Sequence, residues 1–109
     1  MPSAMTKSSR VIKKVVRQIV DVHHPRKIVL FGSYAKGRPT RNSDVDLLVI
    51  MPSRKRPVAR AVEISKSLHF YPFPMDILVR TPAEIRRRLQ MGDPFFQEVM
   101  TKGKVLYEG

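Results

Sequence analysis

Phe31-Gly32-Ser33-Tyr34-Ala35-Lys36-Gly37-Arg38-Pro39-Thr40-Arg41-Asn42-Ser43-Asp44-Val45-Asp46-Leu47 is the stretch whose reading decides the fold. It joins the end of one apolar run to the start of another. Upstream, Lys27 to Phe31 (KIVLF) is short, apolar and β-branched, which predicts a buried strand. Gly32 breaks that strand. Downstream, Asp44 to Met51 (DVDLLVIM) predicts a second buried strand, closed by Pro52. The segment between them is rich in Gly, Lys and Arg, the composition of a loop rather than of a third element.

This stretch also carries chemistry. Asp44 and Asp46 are two apart on a strand, so both side chains point to one face. Their spacing along the backbone, about 7 Å, lets two carboxylates converge on one or two hard cations. Uncompensated, such a pair repels and one member tends to hold its proton; a divalent cation resolves the conflict. Gly32 lets the backbone approach a phosphate closely, and Ser33 offers a hydroxyl and an N–H to phosphate oxygens. If Ser33-Tyr34-Ala35-Lys36 opens a short helix, its N-terminus also faces the anion. Lys36, Arg38 and Arg41 lie in the same loop and can neutralise a triphosphate tail.

Working outward, Thr6 to Val22 carries Val11, Ile12, Val15, Val16, Ile19 and Val20 on one helical stripe, with Lys13, Lys14 and Arg17 off it. His23-His24-Pro25 ends this helix, because the residue before proline is pushed out of the helical region. Pro57 to Phe70 predicts a helix whose inner face holds Val58, Ala61, Val62, Ser65 and Leu68. Met75 to Val79 (MDILV) predicts a third strand. Thr81-Pro82-Ala83-Glu84 reads as a capping box with proline at the first helical position, followed by inward Ile85 and Leu89. Gly92-Asp93-Pro94 starts another helix, with Phe95, Phe96, Val99 and Met100 in the core. Gly103 ends it, and Val105 to Tyr107 reads as a last short strand. The order α-β-β-α-β-α-α-β predicts an α/β fold with a short mixed sheet flanked by helices.

Asp76 opens the third apolar strand as Asp44 opens the second. If the second and third strands are neighbours, three carboxylates meet at one place. They then suit a two-metal site, with Asp76 helping activate an attacking hydroxyl or acting as base. Each piece has a plainer reading alone: Gly32-Ser33 as a strand-ending turn, Asp44 and Asp46 as surface acids, Asp76 as a residue preceding a strand. Their joint arrangement is what points to phosphoryl chemistry, which needs little beyond positioning and charge neutralisation. His23, His24 and His69 have no ligand-like spacing with a carboxylate, and Tyr34 and Tyr107 read as packing residues.

The chain has 109 residues and 42% hydrophobic content, suited to one domain over residues 1–109 with a modest core and residues 1–5 disordered. No cysteine is present, which excludes disulfides and thiolate metal sites and fits a reducing cytoplasm. No apolar run approaches the roughly 20 residues of a bilayer span, so no membrane is expected as partner. Against 21 Lys and Arg stand 9 Asp and Glu, a formal charge of +12. Such a domain attracts polyanions, so nucleotides, RNA or an acidic protein are the companions to expect. Its basic residues are dispersed rather than gathered in a tail. A domain with so small a core also suits homo-oligomerisation or a permanent partner.

These residues resemble the minimal nucleotidyltransferases of the DNA polymerase β superfamily. That family's signature is Gly-Ser, ten residues, then Asp-x-Asp; here Gly32-Ser33, Tyr34 to Ser43 and Asp44-Val45-Asp46 follow it. Phe31, Ala35-Lys36-Gly37 and Ser43 match its usual form, as does Met75-Asp76-Ile77-Leu78-Val79. So does the ending, from Phe95 to Met100 and from Gly103 to Glu108, and the similarity spans residues 10 to 108. The resemblance implies a polymerase β-like fold in which Asp44, Asp46 and Asp76 are catalytic and hold Mg²⁺, two ions in all. It implies that Gly32, Ser33, Lys36 and Ser43 bind the nucleoside triphosphate, with ATP as donor.

Many members of this size are paired with a HEPN-domain protein, often a ribonuclease toxin, and act as antitoxins by adenylylating a tyrosine on it. The charge of +12 departs from what a protein target would call for. Three functions therefore stand at this point: transfer of AMP to a HEPN partner, a non-catalytic nucleotide-binding subunit, and nucleotide transfer to RNA. Small acceptors such as an aminoglycoside are a further class.

Overall fold

A computed structural model describes residues 9–37, 44–68 and 74–109. The expectations placed on residues 1–5, Arg38, Arg41, Ser43 and His69 lie outside these. The element order is α1 (Ser9–His23), β1 (Lys27–Phe31), β2 (Val45–Ile50), α2 (Pro57–Ser67), β3 (Met75–Arg80), α3 (Pro82–Gln90), α4 (Pro94–Lys102) and β4 (Lys104–Glu108). This is the order expected from the sequence. The helix expected from Thr6 is described from Ser9, and the one expected to reach Phe70 ends at Ser67, with the Leu68 N–H bonded to the Ser65 carbonyl at 3.3 Å.

The four strands form one mixed sheet in the order β3-β2-β1-β4. β1 pairs antiparallel with β2 and β4, whereas β2 and β3 run parallel. The parallel pair arises because α2 lies between β2 and β3 in the chain and carries it back across the sheet, as a parallel connection requires. Strand alternation then sorts the side chains into two layers. Ile28, Leu30, Val45, Leu47, Val49, Ile77 and Val79 pack against Ile12, Val15, Val16 and Ile19 of α1 and Ile64 of α2. Val29, Leu48 and Ile50 pack on the opposite face against Ile85 of α3 and Phe96 and Val99 of α4. β2 is buried on both faces, which explains its unbroken apolar run.

Helix ends follow local chemistry. His24 takes φ +50, and its N–H bonds the Val20 carbonyl at 3.0 Å, so α1 stops just before Pro25. The capping box on α3 is formed: the Glu84 N–H donates to Thr81 Oγ1 (3.1 Å), and the Thr81 N–H donates to Glu84 Oε1 (2.8 Å). Asp93 caps α4, accepting from the Phe95 and Phe96 N–H groups at 2.9 and 3.3 Å.

Two expectations about helix faces are corrected. On α2, Val58 is 77% exposed and Val62 is also exposed, while Arg60 and Ile64 are buried. The helix is turned because the Arg60 head finds an anion. Its Nη1 and Nη2 donate to Glu84 Oε1 and Oε2 at 2.7 and 3.4 Å, and its Nε donates to the Lys55 carbonyl at 2.6 Å. On α4, Phe95 does not join the core but is 44% exposed. Among the described residues no helix is long and apolar enough to cross a membrane.

Candidate active site

β1 ends at Phe31, and a turn over Gly32 to Gly37 follows. The segment from Ser33 to Lys36 is not a helix. It is a turn in which the Lys36 N–H donates to the Gly32 carbonyl (3.2 Å) and the Gly37 N–H to the Tyr34 carbonyl (3.4 Å). No helix dipole therefore faces the site from here. Tyr34 and Ala35 pack against the α1 layer, which anchors the turn to the core.

Gly32 has φ +74, a conformation L side chains rarely adopt. A second constraint is steric: a Cβ at Gly32 would collide with Oδ2 of Asp46. The glycine is thus required by the carboxylate beside it, besides any close approach of a phosphate. Phe31 and Asp46 are register partners across β1 and β2, which is why the turn and the carboxylate meet.

Asp46 shares its side of β2 with Leu48 and Ile50, and so faces the α4 layer. Asp46 and Asp76 are register partners across the parallel β2 and β3 pair. Parallel partners present their side chains to the same face, so both carboxylates stand side by side. Asp44 lies exposed just before β2, two residues from Asp46. Burial pushes the Asp46 carboxyl above its ordinary range, and the negative charges of Asp76 and Asp44 push the same way.

Among the described residues no group of three His, Asp or Glu is gathered into a ready cation cage. The donor set still fits Mg²⁺, a hard cation that keeps several waters and is held by one or two carboxylates together with substrate phosphates. Its charge would offset the burial and the repulsion that raise Asp46.

A cleft of about 190 Å³ opens beside Asp46, lined by Phe31, Gly32, Ala35 and Lys36 on one side and Phe95, Glu98, Val99, Lys102 and Gly103 on the other. Lys36 Nζ stands 3.9 Å from Glu98 Oε1, both side chains half exposed, a contact that leaves the lysine free to exchange partners. Gly103 lets α4 close on the sheet, since a Cβ there would strike the Val99 carbonyl and Val29. The α4 wall escaped the sequence reading. Its signal is the Phe95-Phe96 pair: neighbours on a helix point about 100° apart, so Phe96 in the core leaves Phe95 outside it.

The histidines stand elsewhere or outside the described residues. His23 Nε2 is 2.8 Å from Ser67 Oγ and ties α1 to α2, and burial lowers its pKa. Tyr34 and Tyr107 are packing residues, as expected.

The sequence matches no curated protein. Among solved structures, a candidate nucleotidyltransferase from Sulfolobus solfataricus shares the fold with a TM-score of 0.64 at 18% identity, over 91% of this chain and 78% of that one. A family profile described as "Nucleotidyltransferase domain" matches residues 9–106, nearly the whole chain. A match over so much of its length shows that the chain belongs to the nucleotidyltransferase domain family.

Proposed function

We propose that this chain transfers a nucleotide, AMP from ATP, to an acceptor hydroxyl, with Mg²⁺ held by Asp44, Asp46 and Asp76. The observation that carries the reading is the register of Asp46 with Asp76 beside the Gly32 turn. Mg²⁺, when bound, neutralises triphosphate charge and lowers the pKa of the attacking hydroxyl. The chain's own part is positioning. Gly32 and Ser33 hold the phosphates through the turn backbone, Lys36 neutralises the tail, and Ser43 belongs to the same phosphate-binding segment. Asp44 and Asp46 orient the α-phosphate. Asp76 helps activate the acceptor hydroxyl or takes its proton as base. The acceptor oxygen bonds to the α-phosphorus as the bond to the β-phosphate breaks, and pyrophosphate leaves.

The acceptor we assign is a tyrosine of a HEPN-domain partner, in the cytoplasm, which would make the chain an antitoxin. Support comes from the likeness of its motif to the minimal nucleotidyltransferases that work in such pairs. A second reading, transfer to RNA, is favoured by the charge of +12.

Both are tested by incubating the protein with α-labelled ATP and Mg²⁺ in a host extract. Label on a protein band, lost with Asp46→Asn, is the expected result. Label on RNA moves the acceptor there, and absence of label with every nucleotide leaves a nucleotide-binding subunit without transfer activity.

A further inference from the structure

Phe95, Glu98 and Lys102 are spaced i, i+3 and i+7 on α4 and share one helix face, beside the face that sends Phe96 and Val99 into the core. That face looks over the cleft beside Asp46. Phe95 is the aromatic on it, 44% exposed, and its ring stands edge-to-face with Phe31 at 5.6 Å and 89°. A large aromatic left half exposed at the mouth of an apolar cleft is what a ligand-binding surface presents.

We infer that this cleft is the seat of the nucleobase, with Phe95 its stacking platform. The inference rests on the proposed binding of a nucleoside triphosphate at the Gly32 turn. Three observations carry it. The cleft shares Gly32, Lys36 and Asp46 with the phosphate-holding turn, so a group seated there is continuous with the triphosphate. Its volume of about 190 Å³ is below the roughly 300 Å³ at which pockets for whole drug-sized ligands begin. It takes one ring system and leaves the phosphates outside, at the turn. Finally, Phe31, Phe95 and Val99 give the cleft an apolar surface between the charged Lys36, Asp46, Glu98 and Lys102, and stacking on that surface tolerates any base, since every base has a π-face.

The test compares ATP with inorganic tripolyphosphate, which lacks base and ribose, by titration calorimetry in Mg²⁺. Phe95→Ala is expected to weaken ATP by about 5- to 150-fold, the range that stacking on an aromatic commands. Tripolyphosphate binding is expected to be unchanged, and GTP, CTP and UTP to lose affinity as ATP does. Phe95→Tyr keeps ATP affinity, whereas Phe95→Leu, which restores apolar bulk without a ring, does not. Rescue by Leu, or equal losses on both probes, overturns the base seat and makes Phe95 a packing residue. So does a wild type that binds tripolyphosphate as tightly as ATP, an outcome that leaves the triphosphate site standing. A wild type that binds neither probe overturns the triphosphate reading and the base seat with it.

Discussion

At the scale of single residues, the site brings groups into close conflict. Gly32 holds a left-handed φ under the Asp46 carboxylate, so Gly32→Ala combines backbone strain of about 1–2 kcal/mol with a displaced Asp46. Its expected effects are a lowered melting temperature and a loss of about 10² in nucleotide transfer, because a displacement near 1 Å has that consequence. Retention of transfer would show that Asp46 need not sit over the turn. Asp46 itself has a raised pKa through burial and the charges of Asp76 and Asp44. The folded state therefore binds its proton more tightly than the unfolded chain. This contribution to stability is present below the ordinary carboxylate pKa and is lost as pH rises through the raised one. In chelator, Asp46→Asn is accordingly expected to melt above the wild type at neutral pH, with the gap closing as pH falls toward about 4. Thermal melts across that range check both the sign and the window.

Elements are held by polar contacts that hydrophobic periodicity does not register. The Arg60 and Glu84 pair joins α2 to α3, and Glu84 Oε1 also accepts from the Thr81 N–H, so one carboxylate serves a bridge and a helix cap. The Arg60 guanidinium holds the Glu84 carboxyl below its ordinary range. Arg60→Ala removes a charged partner from this cluster and is expected to cost about 1–3 kcal/mol in denaturant unfolding. Val58→Ser, on the exposed side of the same helix, is expected to change stability by no more than about 0.5 kcal/mol. The reverse ranking would return α2 to the orientation its valines suggest. Those valines misled because the amphipathic pattern treats arginine as an outward residue. Here its stem packs inward, and its head reaches an anion 24 positions away in the chain. The capping signals of α3 and α4, by contrast, were legible, since each is written within four residues.

For the whole molecule, the formal charge of +12 opposes compaction through self-repulsion. Added salt at constant pH is expected to raise the melting temperature between about 0.01 and 0.15 M, as the screening length falls from about 30 to 8 Å. A flat response would show that the five ion pairs found among the described residues already balance the surface. The same charge creates a long-range field that attracts polyanions. The sequence alone determined the strands, their order among the helices, and the spacing of Gly32-Ser33 from Asp44 and Asp46, because alternation, apolar runs and turn residues act within a few positions. It also placed Asp76 at the head of an apolar strand. Only the tertiary structure decided that β2 and β3 are parallel neighbours bringing Asp46 level with Asp76, that Asp46 lies over Gly32, and that the free face of α4 closes the cleft. Those meetings depend on which elements the core packs together, and contacts such as Asp46 with Gly32 or Phe31 with Phe95, far apart in the chain, leave no periodic trace in it.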